Sequence, residues 1–354
     1  MFGGTIDPRK ASRLARVALD AAAAAVTVAA LAAGLLLAPP GHIAPADASS
    51  QAVEDAGQLV KDGKASEART LLANALKLDP LDHEAHFALA KLHMREQAYD
   101  EAAEEAERAV KLADTVAVYH LWLARASLGK AMKSGVVSAF MAARKGKAEY
   151  ERTLALDPGN VEARFELCMY YLVAPGMVGG SEDKARANAA ILESQSELYG
   201  AYAWASYWER EKNVPRAESL LVKAVTIDTS STNTALYGLG YFYERHENPE
   251  KAAGVFKQIL LNKPDDLVAL FNLGRVYVDT KTNLEEAEAA FKTYIEAGAP
   301  PHGPDEATAH WQLGLVYDLQ GEADSALVEL RRAVELAPNV KQFKDALKQA
   351  EQKQ

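Results

Sequence analysis

Residues Asn233–Asp266 read NTALYGLGYFYERHENPEKAAGVFKQILLNKPDD, and this stretch decides the fold. Leu236, Leu239, Gly240 and Tyr243 fall three or four residues apart, which places them on one face of a short helix. Ala252, Phe256 and Ile259 do the same on a second helix, and Pro264 ends it. Between them HEN makes a tight turn, with Asn248 as the cap and Pro249 as the first helical residue. A small residue in the first helix lets the second approach closely, while bulky residues one turn away fill the groove between ridges.

Weaker copies recur in both directions at a spacing of about 34 residues. Ser49–Asp82 carries Ala56, Leu59, Gly63, Ala68, Leu72, Ala75 and Pro80. His83–Val116 carries Leu89, Ala90, Tyr99, Ala102 and Ala109. The third copy, 117–160, is about ten residues too long. Its extra stretch has Val136, Val137, Phe140 and Met141 at helical spacing, which predicts longer helices rather than a loop. Lys130, Lys133, Arg144, Lys145 and Lys147 gather there, as a docking patch or a solvated face. In the fourth, 161–197, the turn widens into Ala174–Ser181 (APGMVGGS). The fifth (198–232) has Trp204, Ala205 and Trp208; the seventh (267–303) has Leu273, Gly274 and Tyr277; the eighth (307–340) has Leu313, Gly314 and Tyr317. Residues 341–354 are polar and helix-compatible, suited to cover the last copy. Second helices are expected to start behind Asn248, Asp100 and Asp324.

This pattern of paired helices, with bulky–Leu–Gly/Ala–Tyr on the first and small–bulky–small on the second, resembles the tetratricopeptide (TPR) repeat. The likeness covers nearly everything after about Ser49. The long third copy followed by YYLVAPGMVGGSEDKA also resembles a group of exported bacterial TPR proteins. The resemblance implies an all-α, right-handed α-solenoid of about eight helix-turn-helix repeats, 49–340, with a C-terminal capping helix. It also implies binding of other proteins and assembly of complexes.

Composition agrees with helix and narrows the partners. The chain of 354 residues is 49% hydrophobic and 8% aromatic, rich in Ala, with no long alternating runs. A net charge of -10 argues against a general nucleic-acid or anionic-membrane binder, since phosphate contacts need clustered Lys and Arg; membrane contact is expected only through the N-terminal segment, if that is uncleaved. One cysteine, Cys168, excludes an internal disulfide and a multi-cysteine metal site.

Residues 1–48 read as a targeting segment. Arg9, Lys10, Arg13 and Arg16 precede the apolar run Ala21–Ala38, and the small-residue sites Ala44-Pro45-Ala46 and Ala46-Asp47-Ala48 come after it. A cleaved signal peptide and an uncleaved membrane anchor both fit. Either one exports residues 49–354, giving a periplasmic or extracytoplasmic protein.

In TPR proteins one face of the first helices lines a concave groove. One residue after the first core position the copies give Phe87, Leu121, Phe165, Tyr202, Tyr237, Phe271 and Trp311, six of them aromatic. One turn further come Lys91, Arg125, Met169, Ser206, Tyr241, Arg275 and Leu315. Two readings stand: packing between neighbouring first helices, or a groove for an extended peptide or helix carrying carboxylates. The candidate partner-binding residues are Phe87, Lys91, Arg125, Phe165, Tyr202, Tyr237, Tyr241, Phe271, Arg275 and Trp311.

No catalytic constellation, cofactor site or metal site is expected. His83 and His86 are three apart rather than the four of a zinc-protease helix. The Pro175–Ser181 loop lacks the Gly-Lys-Ser/Thr ending of a nucleotide loop and reads as a structural turn. Cys168 takes a small-residue core position. The expectation is a non-enzymatic interaction scaffold of the bacterial cell envelope. The alternative is a small-molecule or glycan-binding module, or an accessory subunit of an envelope enzyme, since an aromatic groove also suits sugars.

Overall fold

The structure is a computed structural model that describes residues 48–230, 232–300 and 303–353, with side chains from 51 onward. Among the described residues there are 17 α-helices, one 3-10 turn and no strand. The helices run in consecutive pairs: α1 (Ala48–Lys61) with α2 (Ala65–Leu78), α3 (His83–Arg95) with α4 (Tyr99–Leu112), and the long α5 (Ala117–Lys133) with α6 (Val136–Leu156). Then come α7 (Val161–Val173) with α8 (Glu182–Gln195), and α9 (Glu197–Arg210) with α10 (Val214–Ile227). The last pairs are α11 (Thr234–Arg245) with α12 (Pro249–Asn262), α13 (Leu267–Thr280) with α14 (Leu284–Ala297), and α15 (Glu306–Gln320) with α16 (Ala323–Leu336). A single helix, α17 (Lys341–Glu351), completes the series. The extra length of the third copy is therefore helical, and the protein is all-α with the repeated hairpin of a solenoid.

The chain divides into two compact units, residues up to Leu220 and residues from Leu221, a boundary inside α10. In the first unit the core is made of small residues beside larger ones: Ala56, Ala68, Leu72, Ala85, Leu89 and Leu92 form one cluster, and Ala90, Ala102, Ala106 and Leu123 start the next. First helices also touch one another, α1 with α3, α3 with α5, and α7 with α9. In the second unit Gly240 and Gly274 sit against the rings of Phe256 and Phe291, where an added Cβ would lie 2.9 Å from a ring carbon. Both rings are fully buried. Each contributes about 1.5–3 kcal/mol by leaving water, which only a glycine opposite permits at this helix separation. Helix α17 buries Phe343 and Ala350 against α15 and α16, covering the apolar side of the last pair.

Two details depart from the sequence reading. Asn248 caps α12 by accepting from the Lys251 amide, but Asp100 and Asp324 lie inside the first turns of α4 and α16, whose N-cap positions are Ala98 and Glu322. As first-turn anions they face the positive end of the helix instead. Side-chain capping is concentrated on first helices, at Asp82, Asn160, Ser196, Asp266 and Asp305. In six of the eight hairpins the turn between paired helices also shares a backbone signature. Gly63, Gln97, Lys212, Glu247, Lys281 and Gly321 all adopt positive φ, between 52° and 82°.

No helix among the described residues is long and apolar enough to cross a membrane. The targeting segment read in residues 1–48 lies, but for Ala48, outside the described residues.

Candidate functional site

In the first unit the candidate row runs along α3, α5 and α7. Phe87 packs its ring 4.7 Å from Tyr119 and 6.1 Å from Trp122 of the next first helix. The Lys91 ammonium, one turn on from Phe87, lies 4.7 Å over that same ring. Phe87, Lys91 and Trp122 are half-buried, so each keeps an edge in solvent. Burial pushes the pKa of Lys91 down, and among the described residues no carboxylate stands within ion-pairing distance of it. Arg125 is the opposite case. It holds Glu166 through Nε at 3.1 Å and Nη2 at 2.5 Å, and Glu162 through Nη2 at 2.5 Å. The Tyr150 hydroxyl donates to Glu166 at 2.6 Å, and burial pushes that hydroxyl's pKa up. A charge this enclosed is retained because both carboxylates pair with it, Glu166 being held in turn by the phenol.

Further along, Phe165 packs 5.5 Å from Tyr199 and 6.3 Å from Tyr202, and Phe165 and Tyr202 are only 6% and 8% exposed. In the second unit Tyr237 stacks on Tyr241 at 6.0 Å and donates its hydroxyl to Asp266, the residue that caps α13. Asn272 donates to the Tyr241 hydroxyl at 3.1 Å, and Arg275 pairs with Glu244 at 2.6 Å. Phe271 is 2% exposed between Phe291 and Tyr294. Trp311 lies 5.5 Å from Phe343 of α17, which covers it.

The expected groove row is thereby corrected in part. Phe165, Tyr202, Tyr237 and Phe271 are inter-helix packing: Phe165 and Tyr202 meet between neighbouring first helices, while Tyr237 packs on Phe256 and Phe271 on Phe291 and Tyr294 of the paired second helix. Arg125, Tyr241 and Arg275 link consecutive first helices through polar contacts within the chain. Phe87 and Lys91 keep both an accessible edge and an unmet charge. The aligned row holds Leu121, which is buried and is not among the binding candidates, and passes over its half-buried neighbour Trp122. The signal was present: Trp122 is three residues before Arg125, whose guanidinium lies 5.2 Å over the indole.

The other candidates resolve structurally. His83 Nδ1 is 2.8 Å from the Tyr119 hydroxyl, and His86 Nδ1 is 2.5 Å from Glu105. Among the described residues no three His, Cys, Asp or Glu side chains converge as for a metal. Cys168 is buried, and burial pushes its thiol up to about 12. The glycine loop is a tight turn. Gly179 has φ 100°, and a Cβ on Gly180 would fall 1.7 Å from the Ala174 carbonyl oxygen. Ser181 then caps α8.

The family model for the tetratricopeptide repeat matches residues 58–117, 243–301 and 271–340, in all less than half of the chain. These segments are tetratricopeptide repeats. The human IFIT1 dimer with m7Gppp-AAAA is 16% identical, with a TM-score of 0.50 over 82% of this chain and 72% of that one. The APC/C hetero-tetramer Cut9-Hcn1 gives 16% identity and a TM-score of 0.49, over 86% of this chain and 56% of that chain. A tetratricopeptide repeat protein from Parabacteroides merdae gives 15% identity and a TM-score of 0.47, over 85% and 98%. At these identities the likeness is one of fold. No curated protein sequence matches the chain.

Proposed function

We propose that this TPR chain is a non-enzymatic scaffold of the cell envelope, exported by its N-terminal segment, which holds an acidic, extended segment of a partner protein against its first helices. One observation carries the reading: Lys91 is a half-buried ammonium over the Phe87 ring, next to Trp122, with no carboxylate of its own. Elsewhere in the row cations are met from within the chain, as Arg125 is by Glu162 and Glu166, and Arg275 by Glu244. A desolvated cation is stabilised when a partner carboxylate reaches it, and flat aromatic surface beside it accepts apolar side chains. The tetratricopeptide repeat, as a protein-binding fold, supports the same class of partner.

The test is a screen of extended peptides containing Asp or Glu beside apolar residues, each paired with its Asn or Gln counterpart. The acidic member binds, and Lys91→Met weakens it about tenfold or more with helicity and melting unchanged. Stabilisation of the chain by oligosaccharides and by no peptide would sink this reading in favour of a glycan-binding module. Cell fractionation with N-terminal sequencing checks export.

A further inference from the structure

The long third hairpin ends in an apolar tip. Helix α5 stops at Lys133, Ser134 and Gly135 turn the chain, and α6 begins at Val136. Val136 and Val137 are 89% and 79% exposed and Met141 is 64% exposed. Val137 and Met141 are one turn apart on the same face, with half-buried Phe140 beside them. Isolated apolar residues on a surface need no explanation, but three within the first two turns of one helix at the end of a hairpin form a patch.

The charge around this patch is unlike the rest of the chain. From Arg125 to Ala148 there are six cations, Arg125, Lys130, Lys133, Arg144, Lys145 and Lys147, and no Asp or Glu, in a protein of net charge -10. Some are met by neighbours. Lys130 pairs with Asp100 at 2.5 Å, Lys145 with Glu107 at 2.7 Å, and Lys147 with Glu151 at 3.4 Å. The Lys130 pair is exposed, where ion pairs are weak and exchange readily, while the Lys145 and Lys147 pairs are part-buried. Lys133 gives one hydrogen bond to the Gln97 carbonyl, 2.9 Å away, and Arg144 lies over the Phe140 ring at 5.7 Å. Neither has a carboxylate partner among the described residues, and both flank the tip.

We infer that this tip is a docking element for an anionic lipid surface. Val136, Val137 and Met141 enter the boundary between headgroups and acyl chains, while Lys133 and Arg144 remain at headgroup level against lipid phosphates. An apolar end with a basic collar is what such a surface requires, and it requires no shape-matched pocket. The proposal is independent of the Lys91 reading, which concerns another face of the same unit.

The experiment uses the full chain carrying Val137→Cys labelled with a polarity-sensitive fluorophore, native Cys168 being buried. The same label at Val328→Cys, an exposed position on α16, is the control. With vesicles containing phosphatidylglycerol, emission at 137 shifts to the blue and rises about twofold or more, while the label at 328 does not respond. With phosphatidylcholine alone the response is much smaller. Adding Lys133→Glu and Arg144→Glu lowers partitioning about tenfold or more. If the chain sediments with anionic vesicles and the label at 137 stays in water, attachment is through another segment and the proposal fails. Shielding of 137 by an added protein and by neither vesicle also overturns it, in favour of a protein-docking tip.

Discussion

His86 and Glu105 clasp α3 to α4, with Nδ1 of the ring 2.5 Å from Oε2 of the carboxylate. The same clasp recurs between His120 and Glu149 at 2.6 Å and between His310 and Glu329 at 2.5 Å. In the fourth hairpin Arg164 reaches Asn188 at 3.4 Å. The position is otherwise apolar, Leu236 in the sixth copy, so one polar pair replaces a hydrophobic contact inside several hairpins.

Such a pair costs most when half of it is removed. Glu105→Leu leaves the buried His86 ring without its carboxylate and lowers stability by about 1–3 kcal/mol. His86→Leu combined with Glu105→Leu restores most of that, because two apolar side chains then pack as Leu236 does in the sixth copy. A double-mutant cycle by urea denaturation checks this. A loss in the double variant equal to the sum of the two single losses would show that the pair is not a coupled unit.

The turn between paired helices holds a second set of equivalent positions. Gln97 and Glu247 adopt φ of 56° and 52° where Gly63 and Gly321 stand in other copies. A side chain in this region costs about 1–2 kcal/mol, and glycine returns part of that as chain entropy in the unfolded state. Gln97→Gly and Glu247→Gly are therefore expected to raise stability by about 0.5–1 kcal/mol each, and Gly63→Ala to lower it by a similar amount. At Gly63 nothing lies within 4 Å of an added Cβ, so the change reports conformation alone. Urea midpoints followed by circular dichroism decide it. A loss on Gln97→Gly would mean that the side chain, not the backbone, matters there.

These positions show what the sequence made legible. Gly240 and Phe256, or Gly274 and Phe291, announce close helix approach through size and spacing, and the hairpins follow from them. Gln97, Lys212 and Glu247 hold the same turn with residues that carry no turn signal, so the αL geometry was invisible in the string. The site was legible to a lesser degree. Spacing placed Phe87, Phe165, Tyr237 and Phe271 on equivalent faces, but depth depends on how closely neighbouring helices approach. Phe271 is enclosed by Phe291 and Tyr294, whereas Phe87 keeps an edge in solvent. Lys91 stands out only once its neighbours are known to lack a carboxylate.

Alkaline titration tests the packing of the tyrosines. Burial raises the phenols of Tyr119, Tyr170 and Tyr294 to about 12. An unfolded tyrosine titrates near ~10. A group whose pKa is higher in the folded state holds its proton more tightly there, so its contribution to stability is complete below the unfolded value. It is lost as pH rises through the folded value. The tyrosine contribution should thus be constant up to about pH 10 and fall between about 10 and 12. Tyr294 is fully buried and donates to the Pro304 carbonyl at 2.6 Å, so Tyr294→Phe should flatten part of that decline while costing about 1 kcal/mol at neutral pH. Melting temperature against pH, with phenolate absorbance recorded in parallel, gives both readings. If all 14 tyrosines of the native chain ionised together near ~10, the enclosure described for Tyr119, Tyr170 and Tyr294 would be refuted.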